Sequence, residues 1–96
     1  NIVINAVHSM GKGGKMTVQT ERVCEKTPKT VKVVISDTGK GIPQDILDKV
    51  FDPFFTTKTV GSGLGLTVAR EIVKRHNGAM DVQSEVGKGT TVIVEL

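Results

Sequence analysis

Asn1 and Asn5 lie four residues apart, a spacing that puts two side-chain amides on one face of a helix. An amide oxygen there can take a hydrated Mg²⁺, because hard cations prefer oxygen ligands. An asparagine in such a place can equally be a solvent-facing or capping residue. A second string, Asp37-Thr38-Gly39-Lys40-Gly41-Ile42-Pro43, sets a carboxylate ahead of two glycines at alternate positions. A carboxylate at a strand end, backed by an apolar sheet, can accept a hydrogen bond from an exocyclic amine such as that of adenine. Gly39 and Gly41 would let a flat base come close to the main chain. The same residues also read as a plain Asp-Thr-Gly turn. A third string, Gly61-Ser62-Gly63-Leu64-Gly65-Leu66, runs straight into a helix, whose free N–H groups and positive end make an anion site. A hinge would need glycines too. No Gly-Lys-Ser or Gly-Lys-Thr occurs, which excludes a P-loop, and the Gly-x-Gly-x-x-Gly spacing of dinucleotide folds is absent.

These strings need elements to hold them. Residues 1 to 10 read as the back half of a helix, with Ile2, Ala6 and Met10 on one stripe and the glycines at 11, 13 and 14 stopping it. No capping residue or polar lead stands before that pattern, so it is expected to continue from residues ahead of position 1 and the domain to be partial, starting within this helix. Apolar positions alternate with polar ones over 15 to 25 and again over 30 to 36, predicting an antiparallel pair joined through 26 to 29. Pro43 suits the first turn of a helix running through Phe51, with Ile46, Leu47, Val50 and Phe51 on its apolar face. Residues from about 52 to 64, rich in Thr and Gly and without periodicity, read as a mobile lid. A stronger helix is expected from Gly63 to Asn77, with Leu66, Ala69, Ile72 and Val73 facing in and Gly78 ending it. A second hairpin, 79 to 85 and 90 to 96, turns at Val86-Gly87-Lys88-Gly89. Two β-pairs separated by helix, lid and helix predict an α+β fold with helices on one face of a mostly antiparallel sheet.

The totals agree with one such domain. The chain has 96 residues, 38% of them hydrophobic, enough for a single modest core. All three aromatics are Phe and fall between positions 51 and 55, so they mark a local feature rather than the core. A single cysteine, Cys24, precludes an intramolecular disulfide and fits a reducing, cytoplasmic setting. The net charge of +3 is a hint of an anionic partner, but its basic residues form no run interleaved with aromatics, so nucleic acid is not expected. No apolar stretch reaches the roughly 20 residues that span a membrane.

In order along the chain, the three strings and Phe51-Asp52-Pro53-Phe54-Phe55 resemble the N, G1, F and G2 boxes of the histidine-kinase branch of the gyrase, heat-shock-ninety, histidine-kinase and MutL ATPase superfamily. The resemblance implies the two-layer α/β sandwich called the Bergerat fold, with a mixed, mostly antiparallel sheet, and ATP and Mg²⁺ as ligands. It makes Asn5 the Mg²⁺ ligand, supported by Asn1, and Asp37 the reader of the adenine amino group. Gly39, Gly41 and Ile42 would flank the base, and Thr90 would help hold it through a water. Phe51, Phe54 and Phe55 would anchor the lid, with Phe51 and Phe55 beside the nucleotide. Gly61, Gly63, Leu64, Gly65 and Leu66 would close it over the phosphates, and His8 and Lys58 are candidate phosphate contacts. The short spacing from Lys58 to Gly61 resembles the nitrogen-regulation type of sensor kinase.

Hydrolytic relatives carry a glutamate four residues before the metal-binding asparagine, to activate water; here that position is Asn1. An amide cannot act as a general base, so hydrolysis is disfavoured and phosphate is kept for transfer. An acceptor histidine in this family is followed by an acid and then a proline. His8 precedes Ser9-Met10 and His76 precedes Asn77-Gly78, so neither qualifies, and His76 reads as a helix C-terminal residue. The implied function is donation of the γ-phosphate of Mg-ATP to a histidine on a separate dimerisation domain, for relay to a response regulator, in a homodimeric full-length protein that could be membrane-anchored. A nucleotide-responsive module without kinase activity, or an anti-sigma-factor serine kinase, are the alternatives; Phe54-Phe55-Thr56-Thr57-Lys58 speaks for the histidine-kinase lid.

Overall fold

Alternation of side chains along a strand, with period two, decides which residues share a face. A computed structural model, which describes residues 1–24, 30–49, 51 and 65–96, shows that alternation realised in four strands. They are β1 (Met16–Val23), β2 (Thr30–Asp37), β3 (Ala79–Glu85) and β4 (Gly89–Glu95). The spatial order is β1-β2-β4-β3, and all three pairings are antiparallel. The expected parallel component of a mixed sheet does not occur among the described residues. Both predicted hairpins form; the 25–29 connection of the first lies outside the described residues, but Val23 pairs with Thr30 beside it.

Directly opposed residues on adjacent strands share a face. The register therefore builds rows across the sheet: Val18, Ile35, Val92, Val82 in one, and Thr20, Val33, Val94, Met80 in another. Val82, Val92 and Val94 from these rows are buried with Val73 in the core, flanked by Ile2, Val33, Leu47, Phe51 and Met80. Continuing the same face by two residues gives a third row, Met16, Asp37, Thr90, Ser84. Apolar patterning for the core thus carries a polar row to the rim of the same face. The opposite face is dressed with hydrogen bonds, Ser36 Oγ to Thr91 Oγ1 at 3.2 Å and Thr30 Oγ1 donating to Glu95 at 3.0 Å.

Helices α1 (Ile2–Met10), α2 (Gln44–Leu47) and α3 (Gly65–Arg75) form the second layer. Helix α1 lies on β2 and against α3, while α2 and α3 lie on β3. Ala6, Ala69 and Val73 are its buried residues. Three expectations are corrected. Helix α2 ends at Leu47 rather than Phe51; the chain leaves it through a tighter i to i+3 turn, the Lys49 N–H donating to Ile46 O at 2.8 Å, and the Phe51 carbonyl accepts a 2.8 Å hydrogen bond from Thr67 Oγ1 of α3. Ile72 is 50% exposed instead of joining the inward stripe, because the neighbouring Ala69 and Val73 take the contact with the sheet. And α3 is closed by Asn77, not Gly78: Asn77 adopts φ 58°, its N–H bonds Lys74 O at 2.9 Å and that of Gly78 bonds Val73 O at 2.9 Å, a Schellman motif. Gly78 is small for another reason: a Cβ on it would run into the Glu95 carbonyl at the end of β4. Among the described residues no helix is long and apolar enough to cross a membrane.

Candidate functional site

Asp37 is the last residue of β2, as an adenine-reading acid needs, and it is half-buried. Its Oδ1 accepts the Gly39 N–H at 2.9 Å, which turns the chain and fixes the carboxylate. Thr90 of β4 is its register partner, so acid and hydroxyl face one another at the rim of the helix-covered face. Beyond Thr90 in the same row stands Ser84, whose hydroxyl bonds Thr90 Oγ1 at 2.8 Å.

The 38–43 loop is clamped from both sides. The Lys40 N–H donates to Ser9 O of α1 at 3.2 Å, and the Lys40 carbonyl accepts from Gly87 N–H in the β3–β4 turn at 2.9 Å. Ile42 N–H donates to Ser84 Oγ at 2.8 Å. Both glycines are demanded by these contacts: a Cβ on Gly39 would run into Ser9, and Gly41 has φ +78° with the Glu85 carbonyl against it. Gly39 and Gly41 thus have a packing reason for being glycine beside the ligand-facing one expected of them.

Helix α1 connects this corner to a second. Its last turn carries Ser9, against the loop; one turn earlier, roughly 6 Å along the axis at 1.5 Å per residue, stands Asn5. The first residue of α3, Gly65, faces this second corner: a Cβ on it would lie 3.6 Å from the Asn5 amide nitrogen and 3.9 Å from Asn1 Cβ. Asn1 makes no side-chain capping bond to its helix. Among the described residues there is no group of three or more His, Cys, Asp or Glu that could hold a metal. Neutral amide oxygens without carboxylates fit an Mg²⁺ that arrives already bound to phosphates and keeps several waters, and do not fit a resident protein metal.

The structure also places Phe51. Its ring lies under the Arg70 guanidinium, 4.7 Å from Cζ to the centroid, and its carbonyl is held by Thr67. Phe51 is therefore fixed to α3 and packed on the core. Thr67, Arg70, Ser84 and Ser9 were not singled out by the sequence; a serine in an alternating strand and an arginine on a polar helix face carry no signal until their neighbours are known. Leu66 is half-buried in α3, and His8 is exposed in the last turn of α1. Phe54, Phe55, Lys58, Gly61, Gly63 and Leu64 lie outside the described residues. The Nδ1 of His76 sits 2.8 Å from Ile72 O, in the helix-terminal role expected of it. A shallow apolar groove of about 300 Å³ between α1 and α3, lined by Asn1, Ile2, Val3, Ala69, Ile72, Val73 and Val94, contains neither Asp37 nor Thr90 and is not the polar corner.

The fold that carries this corner occurs in known proteins. The family described as histidine kinase-, DNA gyrase B-, and HSP90-like ATPase matches residues 1–96. The sensor histidine kinase ZraS of Salmonella typhi is 41% identical over 96 residues, all of this chain and 20% of its own length. Among solved structures, the mycobacterial sensor histidine kinase MprB superimposes with a TM-score of 0.84 at 31% identity, over 99% of this chain and 64% of that one. The nucleotide-free catalytic domain of histidine kinase ThkA does so with 0.81 at 33% identity, over 99% and 60%. The chain thus spans about a fifth of the length of the curated relatives it matches.

Proposed function

Since this chain belongs along its whole length to the histidine kinase-, DNA gyrase B- and HSP90-like ATPase family, and has its Bergerat-type sandwich, we propose that it is the ATP-binding catalytic domain of a sensor histidine kinase. In this reading it donates the γ-phosphate of ATP to a histidine on a separate dimerisation domain, from which a response regulator takes it. The domain works on the cytoplasmic side, whether or not the intact protein is membrane-anchored.

The observation that carries the proposal is the opposition of Asp37 and Thr90 across β2 and β4, next to a loop locked between α1 and the β3–β4 turn. A flat base entering there meets the Asp37 carboxylate, which accepts from its amino group, with Thr90 beside it and the main chain of Gly39, Gly41 and Ile42 along its edge. The phosphates then extend along α1 toward Asn5 and Asn1 and the start of α3 at Gly65. Asn5 would hold Mg²⁺, which neutralises phosphate charge when bound. Asn1 orients the asparagine one turn on and, being an amide, abstracts no proton from water, which spares the γ-phosphate for transfer. In this reading the backbone N–H groups of Gly61, Gly63 and Leu64, together with Gly65 and Leu66 at the start of α3, would meet the phosphates. Lys58 and His8 would be further phosphate contacts, and Phe51, fixed by Thr67 and Arg70, would anchor the lid segment with Phe54 and Phe55. Catalysis is then mainly positioning and charge neutralisation.

Calorimetric titration with ADP and Mg²⁺ on the wild type and Asp37→Asn tests it. Loss of one hydrogen bond of this kind is worth about 1–3 kcal/mol, so affinity should fall roughly 10- to 100-fold. An unchanged affinity in the variant would remove Asp37 from the adenine site. Offering a helical domain with an acceptor histidine against a protein with a target serine distinguishes histidine from serine kinase.

A further inference from the structure

The Ser84 hydroxyl has three polar neighbours: Ile42 N at 2.8 Å, Gly89 O at 2.9 Å and Thr90 Oγ1 at 2.8 Å. A hydroxyl has one proton and two lone pairs. The Ile42 N–H can only donate, so it takes a lone pair of Ser84. The Gly89 carbonyl can only accept, so it takes the proton. What remains for Thr90 is the second lone pair of Ser84, and Thr90 must be the donor. With that assignment all three contacts are satisfied, as part-buried polar groups in native structures are. The opposite polarity, Ser84 donating to Thr90, would leave the Gly89 contact without a proton.

The consequence reaches the site. With its single proton given to Ser84, the Thr90 hydroxyl can offer only lone pairs to anything placed beside Asp37. The Asp37 carboxylate also only accepts, and its Oδ1 already takes the Gly39 N–H. We propose that Ser84 is a positioning residue that sets the polarity of the base site, holding the Thr90 proton so that Asp37 and Thr90 form an acceptor-only wall that admits a 6-amino purine and rejects a 6-oxo purine. Ser84 does not touch the base; it acts through Thr90, and its bond to Ile42 N–H ties the wall to the loop. The inference rests on the nucleotide reading above.

The test compares Mg²⁺-ADP with Mg²⁺-IDP, whose bases differ at position 6, on the intact protein. Wild type should prefer ADP. Ser84→Ala releases the Thr90 proton, which can then turn to a 6-oxo group, and the ADP-to-IDP affinity ratio should fall about tenfold, the worth of one hydrogen bond. In a Thr90→Val background the same Ser84→Ala substitution should leave the ratio unchanged, because there is no hydroxyl left to orient. A drop that persists in the Thr90→Val background would mean Ser84 acts only by bracing the loop, and an unchanged ratio in the single variant would mean it sets no polarity; either overturns the proposal. If Ser84→Ala melts below the titration temperature, Ser84→Cys carries the same comparison, a thiol filling the space while pairing weakly. A folded wild type that binds neither nucleotide refutes the nucleotide reading itself, a result distinct from binding with an unaltered ratio.

Discussion

Gly39 shows how a single residue can serve two masters. An ideal Cβ on it would lie 2.8 Å from both the carbonyl carbon and the carbonyl oxygen of Ser9, besides colliding with the Ser9 hydroxyl. Trimming the serine to alanine relieves only the hydroxyl; the main chain of α1 stays in the way. Gly39→Ala should therefore push loop and helix apart, cost about 1–3 kcal/mol as an overpacked contact, and weaken ADP binding. Ser9→Ala added to it should restore little of either, which urea unfolding and nucleotide titration on the two variants can check. Full rescue would show that the side chain alone held the glycine in place. From sequence, Gly39 was readable as special, but its packing against Ser9 was not. The fourfold spacing of Asn1 and Asn5 and the strand-end position of Asp37 were visible because they depend on neighbours in the chain. Ser9, Thr67 and Ser84 were not, because each acts on a residue at least 6 positions away, and Ser9 and Ser84 reach 30 or more.

At the level of elements, patterns with a strong local period were legible and their ends were not. Both hairpins followed from alternation, and α3 from its amphipathic stripe. The four-residue α2 fell short because an i to i+3 bond from the Lys49 N–H to Ile46 O tightens the chain just after it, and one more turn of so short a helix adds little by itself. The residue that closes α3 was misplaced by one for a different reason: two residues, Asn77 and Gly78, both tolerate closure, and a Cβ at 78 would meet the Glu95 carbonyl at the end of β4. Asn77 at φ 58° makes a direct prediction. Asn77→Ala forces a Cβ-bearing residue without a polar side chain into the left-handed region and should cost about 1 kcal/mol, seen as a lower urea midpoint. Asn77→Gly should hold or raise stability, since glycine is the preferred residue there. Equal loss in both variants would mean that the asparagine side chain, rather than the backbone angle, matters. ADP affinity should not change in either, because this end of α3 is remote from the Gly65 end.

For the whole molecule, the pairing of β2 with β4 is the step sequence could not reach, since it joins two hairpins across more than 50 residues of chain. That pairing decides everything about the site: it sets Asp37 opposite Thr90 and centres the core on β2, β4 and β3. The helix layer covers those strands and leaves β1 less protected. In one row Val18 of β1 is 52% exposed while Val92 and Val82 are 8% exposed; in the next, Val94 is 7% exposed. Valine to threonine keeps the β-branched shape and exchanges one methyl for a hydroxyl, so the same change at two positions isolates burial. Val94→Thr places that hydroxyl among the buried apolar side chains of Val73, Val82 and Val92, and should cost about 1–3 kcal/mol. Val18→Thr keeps its hydroxyl in water and should stay within about 0.5 kcal/mol. Urea unfolding of the two variants measures the difference. If Val18→Thr costs as much as Val94→Thr, then β1 is covered in solution by something that seals its helix-side face, and the row from Val18 to Val82 is a core row along its whole length.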